Sequence, residues 1–138
     1  MKIKSKFSSN EAIIRTCKRF NKRSHTMKEY MNVINNAEAF YKACASEGKN
    51  VFVFSANWCP DCRFLEGFFE DVVKEYTAKG FTFYYVDRDQ CMDVCVDLMI
   101  MGIPSFVIYL NGKESNRFVS KQRKTREEIE QFLNQVNQ

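Results

Sequence analysis

The segment Trp58-Cys59-Pro60-Asp61-Cys62 separates two stretches of the chain that differ in periodicity. Before it, residues 51–54 form a short, continuous apolar run of β-forming residues, which predicts a buried strand. After it, apolar residues recur at helical spacing from residue 64 to residue 76, which predicts an amphipathic helix. The two cysteines are therefore expected where a strand ends and a helix begins.

That position favours thiol chemistry. The first turn of a helix has unpaired N–H groups and a partial positive charge, and both favour a thiolate over a thiol at Cys59. Pro60 suits the first helical position because it has no N–H to leave unpaired. Cys62 follows one turn later, close enough to Cys59 for a small disulfide ring. A C-x-x-C between a strand and a helix indicates a dithiol redox site.

Length and charge limit the classes of partner. A chain of 138 residues is expected to form one folded domain. It has no apolar run of about 18 residues, so we expect no membrane partner. The net charge of +4 is uneven, because residues 1–26 carry +7 and the rest of the chain −3. A mildly acidic domain predicts no nucleic-acid partner.

The basic residues 1–26 are predicted to lie outside the folded domain, which then spans residues 27–138. Three interpretations stay open: a disordered extension, a transit peptide, or an over-long gene start with Met27 as the true first residue. His25, the single histidine, lies in this segment and is assigned no catalytic role. The six cysteines and the absence of a secretory apolar stretch favour a reducing compartment. We expect a cytoplasmic protein, or a mitochondrial or other organellar one if residues 1–26 are a transit peptide.

The remaining pattern predicts the element order β-α-β-α-β-α-β-β-α. Strands are predicted at residues 29–34, 51–54, 81–86, 104–110 and 115–120, and helices at residues 36–48, 59–78, 90–99 and from 125 onward. Asn35 or Asn36 is expected to cap the first helix, and Thr125 with Glu128 forms a capping box for the last. Strands joined through helices are expected to pair in parallel, and the Asn-Gly turn at 111–112 predicts a closing antiparallel hairpin. The fold class is α/β, a central mixed sheet flanked by helices on both faces.

Four short motifs carry a family resemblance. They are Trp-Cys-x-x-Cys at 58–62, Val-Asp at 86–87, Gly-Ile-Pro at 102–104 and Asn-Gly at 111–112. With these motifs at this spacing, residues 29–137 resemble the thioredoxin family. The Pro-Asp pair between the cysteines is similar to that of a group of thioredoxin-like proteins with a WCPDC site.

The resemblance implies roles for individual residues. Cys59 would be the nucleophile and Cys62 the resolving thiol, supported by Trp58, Pro60, Asp61 and Pro104. The Ile103–Pro104 bond would be cis, placing a proline loop beside the C-x-x-C. The substrate-binding residues would be Trp58, Gly102, Ile103 and Pro104.

The resemblance also implies how the site is supplied with electrons. It implies no bound cofactor, because the Cys59–Cys62 disulfide itself carries the electrons. NADPH would reduce that disulfide indirectly, through a thioredoxin reductase. We expect the other partners to be disulfide-containing proteins or small thiol compounds, and the protein to be a monomer.

Three positions depart from the family pattern. Val53 stands where thioredoxins commonly have a buried aspartate that helps to remove the proton of the resolving cysteine, so slower turnover is predicted. Ser120 stands where thioredoxins have a glycine, which would narrow the substrate groove. Asp61 places a negative charge against the positive end of the helix, and its replacement by asparagine is predicted to favour the Cys59 thiolate.

A structural zinc site formed by Cys59, Cys62, Cys91 and Cys95 is the main alternative for these thiols. It is disfavoured because 28 residues separate the two pairs, whereas zinc ribbons have about 15–20. We therefore predict no metal. The other cysteines are expected to be free thiols, and a regulatory role for Cys91 depends on its exposure. The basic run at 121–126 is interpreted as solvated surface, with a docking patch for an acidic partner as the alternative.

These observations predict a thiol–disulfide oxidoreductase that reduces protein or small-molecule disulfides and contributes to cell redox homeostasis. The alternative is a binding module that captures partners at the Ile103–Pro104 groove with little turnover, which Val53 favours. An oxidant or isomerase of an oxidising compartment is a third class, and the expected free thiols argue against it.

Overall fold

The computed structural model describes residues 26–136 of the chain. The interpretations of residues 1–25, including those of Cys17 and His25, lie outside the described residues. Within them, the chain begins with a single 3₁₀ turn at Met27–Glu29, and the Met27 side chain is buried in the core.

Five strands form one sheet. They are β1 (Asn32–Ile34), β2 (Lys49–Ser55), β3 (Phe81–Asp87), β4 (Ser105–Leu110) and β5 (Lys113–Phe118). Their spatial order is β1-β3-β2-β4-β5, so β2 lies at the centre. Strands β1 and β2 both pair with β3 in parallel, whereas the β2–β4 and β4–β5 pairs are antiparallel. The predicted mixed sheet is confirmed.

Five helices connect or follow these strands. They are α1 (Ala37–Cys44), α2 (Pro60–Leu65), α3 (Phe69–Thr77), α4 (Met92–Leu98) and α5 (Arg126–Asn134). Asn36 caps α1, because its Oδ1 accepts a hydrogen bond of 2.8 Å from the Ala39 N–H. Thr125 and Glu128 form the predicted capping box at the start of α5. In both places a local side-chain oxygen satisfies N–H groups that the helix itself leaves unpaired.

The central strand β2 divides the core in two. Val51 and Val53 point to one face and Phe52 and Phe54 to the other, and all four side chains are fully buried. The first face packs on α2, α3 and α5, and the second on α1 and α4. Since successive side chains of a strand point to opposite faces, a continuous apolar strand requires helices on both sides. The predicted α/β architecture is confirmed.

The direction of β4 corrects one prediction. We expected strands joined through helices to pair in parallel, but β4 follows α4 and runs antiparallel to β2. A parallel return would need a connection that spans the sheet. The seven residues of α4 rise only about 10 Å, against about 23 Å for the seven residues of β3. The chain therefore re-enters the sheet at the same end at which β3 finishes, and β4 runs in the opposite direction.

The helix predicted at residues 59–78 is also corrected, because the structure has two helices there. The N–H groups of Glu66, Gly67 and Phe68 each bond to the carbonyl three residues earlier rather than four, which forms a turn between α2 and α3. Glycine has low helix propensity, and Phe68 leaves the helical region with φ −143°. The short first helix begins within the C-x-x-C, and the second belongs to the core.

The edge strands differ from their predicted bounds. Strand β1 has three residues, because Met27–Glu29 forms a 3₁₀ turn instead of extending it. Strand β5 starts directly after the hairpin turn, in which Asn111 and Gly112 have φ of 49° and 91°. Two consecutive positive φ values give the tight turn that matches strand twist. The strand ends at Phe118, so Val119 and Ser120 leave the sheet.

In the part of the chain that the structure describes, no helix is both long enough and apolar enough to cross a membrane.

Candidate active site

Cys59 lies in the connection from β2 to α2 and caps that helix. Its backbone is extended, with φ −83° and ψ 119°, and Pro60 takes the first helical position. The Cys59 Sγ accepts a hydrogen bond of 3.4 Å from the Cys62 N–H. The sulfur therefore occupies the place of a capping oxygen, where an N–H group and the positive helix end stabilise negative charge.

The proline loop lies beside these sulfurs. The Ile103–Pro104 peptide bond is cis, as predicted. The Cys59 Sγ is 3.9 Å from the Ile103 carbonyl oxygen, and Ile103 packs against a small buried cluster of Ala56, Cys59 and Cys62. The fold thus brings together residues 44 positions apart.

Cys62 lies behind Cys59 and is 1% exposed, compared with 6% for Cys59. Burial raises the pKa of the Cys62 thiol to about 12, and the neighbouring Ser55 hydroxyl acts in the opposite direction. The fully buried Val53 contributes only an alkyl group where the resemblance leads us to expect a carboxylate. A proton must therefore leave Cys62 without help from that position.

Trp58 is 57% exposed beside the two cysteines. Its Nε1 donates a hydrogen bond of 2.8 Å to Asp89 Oδ2, and the Arg88 guanidinium lies 5.7 Å from the ring centre. From the sequence alone, the charged residues 87–89 after the strand are expected to form a solvated loop with a local ion pair. The Arg88–Asp89 pair exists at 3.4 Å, but Asp89 also orients the tryptophan, and Asp87 is buried. The contact between Asp89 and Trp58 could have been expected from the parallel pairing of β2 and β3, since that pairing brings the carboxyl ends of both strands to the same end of the sheet.

Asp61 is paired with Arg123. The Arg123 Nε donates a hydrogen bond of 2.9 Å to Asp61 Oδ1, and its guanidinium lies 4.4 Å from the centre of the Phe64 ring. We predicted residues 121–126 to be solvated surface. Arg123 agrees with this, because its side chain is 51% exposed, but the prediction is wrong for Lys124, which is 1% exposed. The segment between β5 and α5 crosses the active-site end of the sheet, so its side chains meet the C-x-x-C turn.

An apolar surface next to the proline loop was not predicted. Its exposed members are Met92, Val96, Met99 and Met101. They line a cavity of about 230 Å³ together with Arg88 and Cys95. Only the helical spacing of residues 92, 96 and 99 hinted at it, and that spacing is equally typical of a buried face.

Comparison with known proteins agrees with this geometry. A family model described as Thioredoxin matches residues 31–135. The chain belongs to the thioredoxin family. Mouse thioredoxin is 33% identical over 90 residues, which cover 64% of this chain and 84% of the mouse protein.

Solved structures show the same fold. The thioredoxin of Trypanosoma brucei brucei superposes with a TM-score of 0.68 at 20% identity, covering 81% of this chain and 96% of the other. A variant of the Entamoeba histolytica thioredoxin gives 0.64 at 26% identity, covering 77% and 99%. The thioredoxin family in general acts as protein-disulfide oxidoreductases, which agrees with a dithiol at a helix start.

Within this thioredoxin fold, Gly102 allows a close backbone approach. A Cβ atom added to Gly102 would lie 2.5 Å from the carbonyl oxygen of Ser120. The Ser120 hydroxyl in turn accepts a hydrogen bond of 3.0 Å from Lys124 Nζ. The loop after β5, at Ser120 and Lys121, therefore packs directly against the proline loop at Gly102. The predicted contact of Gly102 with substrate stays a prediction.

The other cysteines are not part of this site. Cys44, Cys91 and Cys95 are free, buried thiols in the second core cluster, away from Cys59 and Cys62. The regulatory role considered for Cys91 rested on exposure and is wrong on that ground, because the residue is 0% exposed and its thiol donates to the Ile34 carbonyl at 3.7 Å. Among residues 26–136, no group of three or more histidine, cysteine or acidic side chains could hold a metal ion.

The Asp61–Arg123 pair leads to a prediction about Cys59. Asp61→Asn should raise the rate at which iodoacetamide alkylates Cys59 at neutral pH, because it removes a carboxylate and leaves a guanidinium beside the turn. Arg123→Gln should lower it. Both side chains are partly exposed, so we expect about a twofold to fivefold change, which weakens as salt is added. Equal rates in both variants would contradict an electrostatic role for the pair.

The raised thiol pKa predicts a loss of stability at alkaline pH. Burial raises the pKa of Cys62 from its ordinary 9.0 to about 12, so the folded state holds the proton more tightly than the unfolded state. The contribution of Cys62 to the free energy of unfolding is fully present below pH 9 and is lost as the pH rises towards 12. Urea unfolding between pH 8 and 11 measures this. Reduced protein should lose more stability over that range than oxidised protein, in which Cys62 cannot titrate.

Proposed function

We propose that this chain is a thiol–disulfide oxidoreductase that reduces disulfides in proteins or small molecules at Cys59 and Cys62. One observation carries the proposal. The Cys59 sulfur caps a helix, accepts the Cys62 N–H and lies against the Ile103 carbonyl beside the cis proline. A nucleophilic thiolate, a second thiol one turn away and a backbone edge for a substrate chain are what dithiol exchange needs.

The proposed reaction has two exchange steps. The Cys59 thiolate attacks one sulfur of the substrate disulfide, so a Cys59–substrate bond forms and the other substrate sulfur leaves as a thiolate that takes a proton from water. Cys62 then gives its proton to water and attacks the Cys59 sulfur. That attack forms the Cys59–Cys62 disulfide and releases the second substrate thiolate. The substrate gains two electrons, and the protein dithiol loses them.

The oxidised protein must be reduced before the next cycle. We propose that an external dithiol donor does this, most simply a thioredoxin reductase that draws on NADPH, with no cofactor bound to this chain. The protein would act as a monomer in a reducing compartment such as the cytoplasm. A reduction potential of about −270 mV, the value for thioredoxin, would support a reductant. A value of about −120 mV would support an oxidant.

We propose that the substrate chain binds across the proline loop. The surface beside the two sulfurs would then consist of the exposed Trp58 ring, the backbone of Gly102 and Ile103, and Pro104. The exposed methionines at 92, 99 and 101 extend this surface and suit apolar residues of a substrate, since methionine adapts its shape to different partners.

The test is the reduction of insulin by dithiothreitol, followed as precipitation of the freed chains. A rate well above that of dithiothreitol alone supports the reductase. The second candidate is a binding module that captures partners at the same groove, which the buried Val53 and the raised pKa of Cys62 favour. Binding of a disulfide peptide with no acceleration of insulin reduction would support the module and reject the enzyme.

A further inference from the structure

Lys124 is a buried cation that the proposed reaction does not yet use. The residue is 1% exposed. Its Nζ donates three hydrogen bonds, to the Ser120 carbonyl at 3.2 Å, the Ser120 hydroxyl at 3.0 Å and the Gln122 carbonyl at 2.8 Å. All three acceptors are neutral oxygens. A buried ammonium is costly unless it is bonded, and here the bonds satisfy its donors without neutralising its charge.

The loop that holds this ammonium is fixed to the active site from two sides. On one side, the backbone of Ser120 and Lys121 approaches Gly102 so closely that no Cβ fits between them. On the other side, Arg123 binds Asp61, which lies between the two cysteines. The position of Lys124 relative to the dithiol is therefore set by rigid backbone contacts and an ion pair.

Both cysteines of the C-x-x-C are among the ionisable groups that act on the Lys124 ammonium. Burial lowers the pKa of the ammonium, and four acidic groups raise it: Cys62 most, then Glu128, Asp61 and Cys59. Glu128 lies on α5, and the other three lie on the active-site turn. Through a low-dielectric interior, the attraction between this ammonium and a thiolate is much stronger than it would be in water.

We propose that Lys124 is a positioning residue for the redox reaction, a fixed buried charge that stabilises the thiolate forms of Cys59 and Cys62. The inference rests on the proposed function. The benefit is largest at Cys62, which must ionise in a buried place where Val53 offers no base. A cation assists by lowering the free energy of the thiolate instead of by accepting the proton.

The test uses Lys124→Gln, which keeps hydrogen-bond donors for the loop oxygens but removes the charge. The rate at which iodoacetamide alkylates Cys59 at neutral pH should fall about twofold or more, because a fixed positive charge near the turn is lost. The release of substrate from its mixed disulfide with Cys59, measured by stopped flow, should slow several-fold. Lys121→Gln removes the same charge from the exposed part of the same loop, and we expect it to change both readouts little.

A purely structural role for Lys124 gives a different result. In that case Lys124→Gln would keep the alkylation rate and the release rate of the native protein. Lys124→Met, which has no donors, would lower thermal stability only. That pattern would overturn the proposal.

A measurement on the native protein needs no variant. Because coupling is reciprocal, the Lys124 ammonium should titrate at higher pH in reduced than in oxidised protein, which has no thiolates to attract it. Nitrogen-15 resonances of the lysine Nζ report this directly. Equal titration in the two states would overturn the proposal even if both variants failed to fold.

The two proposals can fail separately. The reactivity of Cys59 and the titration of Lys124 are measured without turnover. If native protein does not accelerate insulin reduction, the reductase is rejected, but these two measurements still test the role of Lys124. Conversely, native turnover with no effect of Lys124→Gln on the reactivity of Cys59 rejects only the role of Lys124.

Discussion

Cys59→Ser is expected to reduce the insulin reduction rate to that of dithiothreitol alone, which means that the protein-catalysed part of the rate falls by at least about 10³-fold. A serine hydroxyl does not ionise at neutral pH, so neither the capping position nor the proline loop can make it a nucleophile. The residue is small and its Oγ can still cap α2, so the fold should persist. Insulin precipitation, with circular dichroism as a check on folding, measures the effect.

Cys62→Ser should give a different defect. The Cys59 thiolate still attacks the substrate, but no second thiol resolves the bond, so a mixed disulfide accumulates that is visible on a non-reducing gel. Cys44→Ala is the matched control, because Cys44 is also buried and burial raises its pKa to about 12, yet it lies in the other core cluster. Full turnover in Cys59→Ser, or covalent complexes that require Cys44, would reject the assignment of the dithiol.

Among glycine-to-alanine substitutions, Gly102→Ala is expected to lower the stability of the fold most. The added Cβ would lie 2.5 Å from the Ser120 carbonyl oxygen, 2.7 Å from its carbon and 2.8 Å from Lys121 Cα. All three atoms are backbone and cannot rotate away, so the two loops must separate. We expect the free energy of unfolding to fall by about 2–4 kcal/mol in urea titrations.

Gly67→Ala provides the matched control. The nearest atom to its added Cβ is the Phe64 carbonyl oxygen at 3.5 Å, which is an ordinary contact. This variant should stay within about 0.5 kcal/mol of the native protein. If Gly102→Ala were equally mild, the close approach of the two loops would not be a constraint on the fold. Because the separated loops carry Ile103 and Lys124, insulin reduction by Gly102→Ala should fall as well.

Local chemistry explains why much of the fold was predictable from the sequence. The continuous apolar run in β2 required helices on both faces, the Asn-Gly pair required a tight hairpin, and Thr125 with Glu128 required a helix start. The same reasoning placed Cys59 at a helix cap, because a strand ends a few residues before it and Pro60 follows it. In each case the deciding residues are neighbours in the chain.

Features set by distant contacts were not predictable in the same way. The antiparallel direction of β4 depends on where the chain leaves α4, which apolar periodicity does not report. The burial of Lys124 and the Asp61–Arg123 pair depend on the path of the loop after β5. On composition alone a basic run is solvated. The path of the loop beside the C-x-x-C turn buries Lys124 and brings the exposed Arg123 side chain to Asp61.

The central position of β2 has a mechanical consequence. This strand ends at Ser55, four residues before Cys59, and has hydrogen-bonded partners along both edges, with seven register pairs to β3 and six to β4. In the proposed reaction a mixed disulfide would join the substrate to Cys59, and a pull on that sulfur would be shared by both ladders instead of acting on a single edge. Pairing along both edges therefore holds this strand more firmly than an edge strand would be held, and the C-x-x-C turn that follows it has a rigid support.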